Sequence, residues 1–425
     1  MKFSWPFPLA LASLFSLFLA CPGASAARKG SPPDPPAAQQ PSRKSPSIVP
    51  ESSRNNLLAV FAQGEDALRR GDLAQAEKNF RTVISADPKA GSAYANLGVI
   101  AMRRKQWDRA LALFQKAGKL EPQMSGIQLN IGLVQFRRAN YAAAIEPFSA
   151  VLAAQPGSEQ ARYLLGLCQV FTERYSDAVA TLEPLWDQQS ADIMYLYALD
   201  IAAQNSAQHE LDEKTLARML QIGSNTPEYH LILAKAYLNR EENEKAISEL
   251  DQASALNPRV PFLHFNSGMA YMRAGDNERA ESEFRQDIAI EPDLPDNYEQ
   301  LGLLYQRTQR DADAEKAFRD ALRIDKNRAT ALLGLTKLYL QQKKYKEALL
   351  TADPAVKLAP ESQSAHFMRG QILVHLGRNE EGRAELAAAQ KLLNSNLAKD
   401  RAAREEDRLP NPELTQQEQP PNPEP

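Results

Sequence analysis

A 34-residue period runs through most of this chain, and it limits the fold more than any other feature. Residues 91–122, GSAYANLGVIAMRRKQWDRALALFQKAGKLEP, give its clearest unit, marked by Tyr94, Leu97, Gly98, Ala101, Trp107, Ala110, Phe114, Ala117 and Pro122. Pro88, Pro122 and Pro156 fall 34 residues apart, as do Pro258 and Pro292. From Pro156 to Pro258 is 102 residues, three periods, so the phase survives a stretch where the pattern fades. A period of this size marks stacked supersecondary units, each too small to bury its apolar side alone.

Inside the period a small residue recurs where two helices must approach: Gly64, Gly98, Gly132, Gly166, Gly268, Gly302 and Gly370. Twelve residues later stands a second small residue, as at Ala76, Ala110, Ala144, Ala178, Ala280 and Ala314. A larger side chain there would hold the helices apart and forfeit close-packed contacts. Phe80, Phe114, Phe148, Phe284 and Phe318 supply the bulk, each contributing about 1.5–3 kcal/mol when fully buried. Gly71, Gly275 and Gly377 stand where a first helix ends in a left-handed cap. The closing proline stops the second helix and turns the residue before it away from helix.

These residues and this spacing resemble the tetratricopeptide repeat (TPR) family, whose unit is two antiparallel helices. The resemblance covers residues 57–396. It implies an all-α, right-handed α-solenoid (superhelix) of about ten 34-residue helix pairs that binds other proteins. Residues 57–190 read as a block of four repeats and 227–396 as a block of five. Between them, residues 191–226 form a degenerate fifth repeat, with Asp200 and Asp212 at the small positions and no closing proline. Pro147, Pro184 and Pro354 fall inside second helices, where proline removes a hydrogen bond and bends the helix. A change of curvature is therefore expected near residues 180–225.

The flanks differ in kind. Residues 1–26 read as a secretory signal, with Lys2, an apolar run over 9–19 and the small residues Ala24, Ser25 and Ala26 for cleavage. Residues 18–21, Phe-Leu-Ala-Cys, also resemble a bacterial lipoprotein box, which would lipidate Cys21 and place the chain at a membrane through that lipid. Cleavage after Ala26 is the first expectation, and the periplasm the expected compartment. Residues 27–56 follow as a disordered linker whose first 24 residues hold seven prolines. At the other end, 397–409 reads as a polar capping helix and 410–425 as a disordered tail.

Catalysis finds no support in the residues. HExxH, P-loop, Gly-x-Ser-x-Gly and dinucleotide patterns are absent. His230, His264 and His366 share one repeat phase, held elsewhere by Tyr94 and Tyr298, and read as packing residues; no helical His pair suggests a metal. Cys168 is the one cysteine outside the leader, so no internal disulfide or cysteine zinc site is expected. No cofactor is implied. A net charge of −3 gives no footprint for nucleic acid.

Binding is better supported. The resemblance puts the first helix of each pair on the concave face. Its inward phases hold Leu129, Leu133 and Phe136, then Tyr163, Leu167, Val170 and Phe171, then Met194 and Tyr197, and later Phe265 and Met269. Exposed, these would form an apolar groove for a protein or peptide partner; the competing reading is packing against the next repeat. In the eighth and ninth repeats the inner face turns polar, with Asp296, Glu299, Gln306 and Lys337. Arg69, Arg103, Arg137, Arg273 and Arg307 recur at one phase, either to grip acidic groups of a partner or to sit by a helix C-terminus. Asn96, Asn130 and Asn266 resemble the asparagine row with which some TPR superhelices hold peptide backbone.

Overall fold

The computed structural model describes residues 51–406. The leader, Cys21, most of the linker and the tail lie outside the described residues. Everything described is helix and tight turn, with no strand among the described residues.

Two compact units divide the chain at Ile222/Gly223. The first unit contains α1 (Glu51–Arg69), α2 (Leu73–Ala86), α3 (Gly91–Arg103), α4 (Trp107–Leu120), α5 (Ser125–Arg137), α6 (Tyr141–Ala154), α7 (Glu159–Phe171), α8 (Tyr175–Leu182), α9 (Trp186–Gln189), α10 (Ile193–Asn205) and α11 (His209–Ile222). The second contains α12 (Pro227–Asn239), α13 (Asn243–Leu256), α14 (Leu263–Ala274), α15 (Asn277–Ile290), α16 (Pro295–Arg307), α17 (Asp311–Ile324), α18 (Ala329–Gln341), α19 (Tyr345–Leu358), α20 (Gln363–His375) and α21 (Asn379–Glu406). Each unit is five consecutive helix pairs, the second helix of the fourth pair being broken into α8 and α9, and successive pairs within a unit pack on each other. Each is an all-α stack of helix pairs of the kind the period implies, ten pairs in all among the described residues.

The turn between the two helices of a pair keeps the period. Gly71, Lys105, Ala139, Glu173, Ala207, Glu241, Gly275, Gln309, Lys343 and Gly377 are spaced by 34, and each has positive φ. Only three are glycine. The non-glycine members lie at φ of 57–61°, a left-handed conformation that costs roughly 1–2 kcal/mol in an ordinary residue. Closing the turn offsets that cost: Gln106 N–H, for example, donates to the Ala101 carbonyl at 2.9 Å. Asp72, Asp192 and Asp276 begin their helices by accepting backbone N–H groups, at 2.8–3.0 Å in the best bond of each.

Packing within a pair follows the small residues. A Cβ added at Gly64, Gly98, Gly132, Gly268 or Gly302 would lie 2.5–2.8 Å from the ring of the phenylalanine sixteen residues on. Those five rings are fully buried. In the fifth pair Asp200 takes the glycine's place, is fully buried, and has the Thr215 hydroxyl 3.0 Å from its Oδ1. The ninth pair has Thr336 there, 2.8 Å from the Thr351 hydroxyl.

Three boundaries depart from expectation. α1 begins at Glu51, so residues 51–56 are helix rather than linker. The capping helix expected at 397–409 is not separate: α21 runs 28 residues without a break to Glu406. Its sequence after Gly382 has no glycine or proline, and Ala, Glu, Lys, Arg and Leu sustain helix. Of the three internal prolines, Pro184 alone interrupts its helix, converting 183–185 to a 3₁₀ turn between α8 and α9; α6 and α19 run through Pro147 and Pro354.

Candidate functional site: the first-helix faces

The expected apolar groove is closed. Leu129, Leu133, Phe136, Leu167, Val170, Phe171, Met194, Tyr197, Phe265 and Met269 are all buried. Of the eleven, Tyr163 alone is half-buried. Neighbouring helices account for it. Phe136 and Tyr141 meet edge to face at 5.3 Å, Tyr141 stacks on Phe171 at 4.2 Å, and Phe136 reaches Phe171 at 6.2 Å. This cluster ties α5, α6 and α7 together, as Phe265 on Phe284 ties α14 to α15. The inward phase of a first helix is thus covered by its own second helix together with the first helix that follows.

Nor is the arginine row a free cationic strip. Arg103 donates to the Leu68 carbonyl at 2.8 Å, and Arg273 to the Leu238 carbonyl at 2.6 Å. Each adds a second donor to a carbonyl at the end of the preceding first helix, which already accepts a turn N–H (Gly71 on Leu68, Glu241 on Leu238), a capping role across pairs. Arg69 pairs with Asp66, and Arg307 donates to Asn277. Arg137 is exposed at the end of α5 and also has an interaction partner.

The polar inner face of the second unit is tied in the same way. Arg328, just before α18, contacts Asp296 at 2.7 Å and Glu299 at 2.5 Å, and the Ala331 N–H donates to Glu299 at 3.2 Å. Gln306 donates to the Gly334 carbonyl at 2.8 Å. Lys337 is exposed.

Two periodic pairings went unread in the sequence, as did the burial of a set of polar groups that includes Asn96 and Asn266. Glu77, Glu281 and Glu315 share a phase, and each carries an arginine four residues on: Arg81, Arg285 and Arg319. Glu77 also takes Arg104 and Arg109 from the next pair, and these three guanidinium groups hold its carboxyl down to about 2. The packing histidines carry a glutamate nineteen residues on: His230 to Glu249 at 2.7 Å, His264 to Glu283 at 2.8 Å, His366 to Glu385 at 2.6 Å. In His264 and His366 the other ring nitrogen faces a proline carbonyl at 3.0 Å, that of Pro258 and Pro360.

The third feature is a set of buried first-helix side chains with unmatched polar atoms. Lys235 on α12 stands at the phase of Leu133, Leu167 and Met269; it is 3% exposed and its Nζ meets no acceptor. Burial pushes its ammonium down to about 7. Asn96 is fully buried with neither amide atom matched, and Asn266 donates to the Phe262 carbonyl at 2.6 Å while its Oδ1 is unmatched. No group of three or more His, Cys, Asp or Glu able to hold a metal occurs among the described residues. Among them, too, no helix is long and apolar enough to cross a membrane.

No curated protein matches the chain. Among solved structures it resembles a tetratricopeptide repeat protein from Parabacteroides merdae, with 16% identity over 56% of this chain and 93% of that one, and a TM-score of 0.47. It also resembles yeast Tom70, with 14% identity over 85% of this chain and 98% of that one, and a TM-score of 0.41. YrrB, described as a TPR protein with an unusual peptide-binding site, is 20% identical over 46% of this chain and 97% of its own, with a TM-score of 0.38. Two tetratricopeptide repeat family models match residues 61–124 and 136–199. A third, a TPR model described as the Cilia and flagella-associated protein 70 C-terminal domain, matches residues 184–408, more than half of the 425. With the ten pairs in one phase, these matches establish that the chain belongs to the tetratricopeptide repeat family.

Proposed function

We propose that this TPR protein is a non-catalytic scaffold that holds an extended, acidic segment of a partner protein along the first-helix row of its second unit. The TPR fold supports a protein-interaction scaffold in general; the segment and its charge are read from Lys235. An unpaired ammonium in an apolar interior is among the costliest groups a core can hold. Lys235 occupies a phase that is apolar from the second to the eighth of the other pairs (Val99, Leu133, Leu167, Ile201, Met269 and Leu303) and polar at Glu65, Lys337 and Gln371, so an apolar side chain fits there. A lysine kept at that cost without a partner is suited to a carboxylate that displaces the side chains covering it, since at 3% exposure it is shut off from solvent in the free chain. On α14 the unmatched Oδ1 of Asn266 offers an acceptor to a main-chain N–H.

The test separates binding from stability. Lys235→Met keeps the stem and removes the charge. Thermal stability should rise while partner capture, from an envelope fraction of the native host, falls at least about tenfold. Capture undiminished in the Lys235→Met protein would refute the reading. A variant that loses both stability and capture would make Lys235 a structural residue.

The leader extends the proposal to an exported protein of the bacterial periplasm. Lipidation at Cys21 would instead make it a membrane-anchored subunit of an envelope assembly. Mass spectrometry of the mature N-terminus distinguishes a chain beginning at Ala27 from one beginning at acylated Cys21.

A further inference from the structure

The last pair, α20 with α21, ends the second unit differently from every pair before it. Inside that unit, the face of a first helix is met by the next first helix. Glu299 on α16 accepts from the start of α18, and seven residues on Gln306 donates to the α18 backbone. The same two phases on α20 are Phe367 and Val374, and they are 43% and 40% exposed. No first helix follows α20 among the described residues, and α21 runs on to Glu406 without turning back over it. Leu393 and Leu397, one turn apart on the overhanging part of α21, are also exposed, at 38% and 46%.

We infer that this edge is a dimerisation surface, on which α20 of one copy packs against α20 of a second copy about a two-fold axis. The face has the chemistry of an inter-pair contact, so its natural complement is another first helix of the same kind. Two observations select a second copy in that orientation. Between Phe367 and Val374 the face carries Gln371, with Ser364 at its other end, both uncharged, so two copies meet without like-charge repulsion. The opposite end of the array is a poor complement: the phases of α1 that would meet a preceding first helix hold Ala59, Ala62 and Arg69. Arg69 stands at the phase by which Phe171 reaches Phe136, and Val374 at the phase of Phe136. Head-to-tail stacking would therefore set a guanidinium against Val374 and only small side chains beside Phe367. Such growth is disfavoured, and an isologous contact closes on itself as a dimer. Such a face left in water would also be an aggregation hazard.

Sedimentation analysis of the full chain tests this. A concentration-dependent monomer–dimer equilibrium is expected, weakened at least about tenfold by Phe367→Asp. Leu350→Asp, at a site 77% exposed on α19 and off this face, should leave it unchanged. In a Cys21→Ser background, Gln371→Cys should give a disulfide-linked dimer under mild oxidation, since equivalent residues meet near a two-fold axis. Cys168 is buried and stays out of that reaction. A chain monomeric at every soluble concentration overturns the inference. So does a dimer indifferent to Phe367→Asp, or one that Gln371→Cys does not cross-link. A monomer whose α20 amides exchange faster once residues 410–425 are deleted would identify the chain's own tail as the occupant, again overturning it.

Discussion

In the third pair Gly132 lets α5 and α6 approach until the Phe148 ring fills the space between them; in the fifth, Asp200 stands at the same phase and meets the Thr215 hydroxyl. One contact is apolar and rests on the absence of a side chain. The other is polar and rests on a matched pair. Yet the turns after the two first helices, at Ala139 and Ala207, share one left-handed φ of 57°. The period is therefore held by the backbone turn, and the side chains between the helices vary as long as they fill the space and satisfy one another.

Breaking the apolar solution should have the largest effect. In Gly132→Val the new Cβ would lie 2.5 Å from the fully buried ring of Phe148. Overpacking of this kind costs about 3 kcal/mol. Because each pair touches only its neighbours, the loss should be local. Hydrogen exchange should accelerate in α5 and α6 and leave α12 to α21 unchanged; uniform acceleration across both units would contradict a solenoid of semi-independent pairs.

The polar solution should fail by a different substitution. Thr215→Val keeps the shape and removes the hydroxyl from a carboxylate with no exposure to water. Depriving a buried group of a partner costs about 1–3 kcal/mol. Thr215→Ser should retain most of the stability, measured by exchange in α10 and α11. Equal losses for Val and Ser would assign the effect to packing of the Thr215 methyl group instead.

These two pairs also show what one sequence could and could not disclose. The glycine–phenylalanine spacing is a local rule, so the period, the ten pairs and the close contacts were legible. The Asp200–Thr215 pair was not, because only the ninth pair, with Thr336 and Thr351, puts a polar contact at the same two phases, and with different residues. The groove was misjudged for a related reason. Helical phase says where Phe136 points, but Phe171 and Tyr141 decide whether water reaches it. The arginine row was legible in part: Arg103 and Arg273 do sit by helix C-termini, but the carbonyl that Arg103 reaches, at Leu68, belongs to another pair. Lys235 escaped notice because Lys337, three periods on at the same phase, is exposed; only burial sets Lys235 apart.

Titration should set the two units against each other, with effects of about 1 kcal/mol for each exposed or half-exposed pair at most. Glu77 in the first unit has a depressed carboxyl. Its contribution is present above the ordinary carboxylate range and is lost as pH falls toward about 2. His264 in the second unit is raised, chiefly by its hydrogen bond to Glu283 against the opposing effect of burial. Its contribution is complete below the ordinary imidazole range and lost as pH rises through the folded value. Asp287, raised by burial despite its bond to Asn297 at 2.6 Å, loses an unfavourable charge as pH falls. Raising pH from 5 to 8 should therefore loosen α14 and α15 and spare α1 to α4, as followed by exchange corrected for intrinsic rates. His264→Gln should flatten that slope; an unchanged slope would place the titration elsewhere.

The smallest effect tests the turn itself. If the left-handed residue carries the period, then Ala207→Gly should stabilise the fifth pair by relieving the Cβ strain at φ 57°. Against that gain stands the greater freedom of glycine in the unfolded chain, leaving a net of about 0.5 kcal/mol. The reverse change, Gly275→Ala in the seventh pair, meets no neighbouring atom within 4 Å and yet must adopt φ 88°. Its cost of about 1 kcal/mol would be conformational and nothing else. Gly98→Ala provides the contrast: its φ is helical, and its Cβ would lie 2.7 Å from the Phe114 ring. Strain in the turn should slow closure of one pair without separating its helices, whereas the added methyl at Gly98 should separate them. Near-identical exchange patterns for Gly275→Ala and Gly98→Ala would mean that turn geometry and helix packing are not independent, and that the backbone alone does not keep the 34-residue phase.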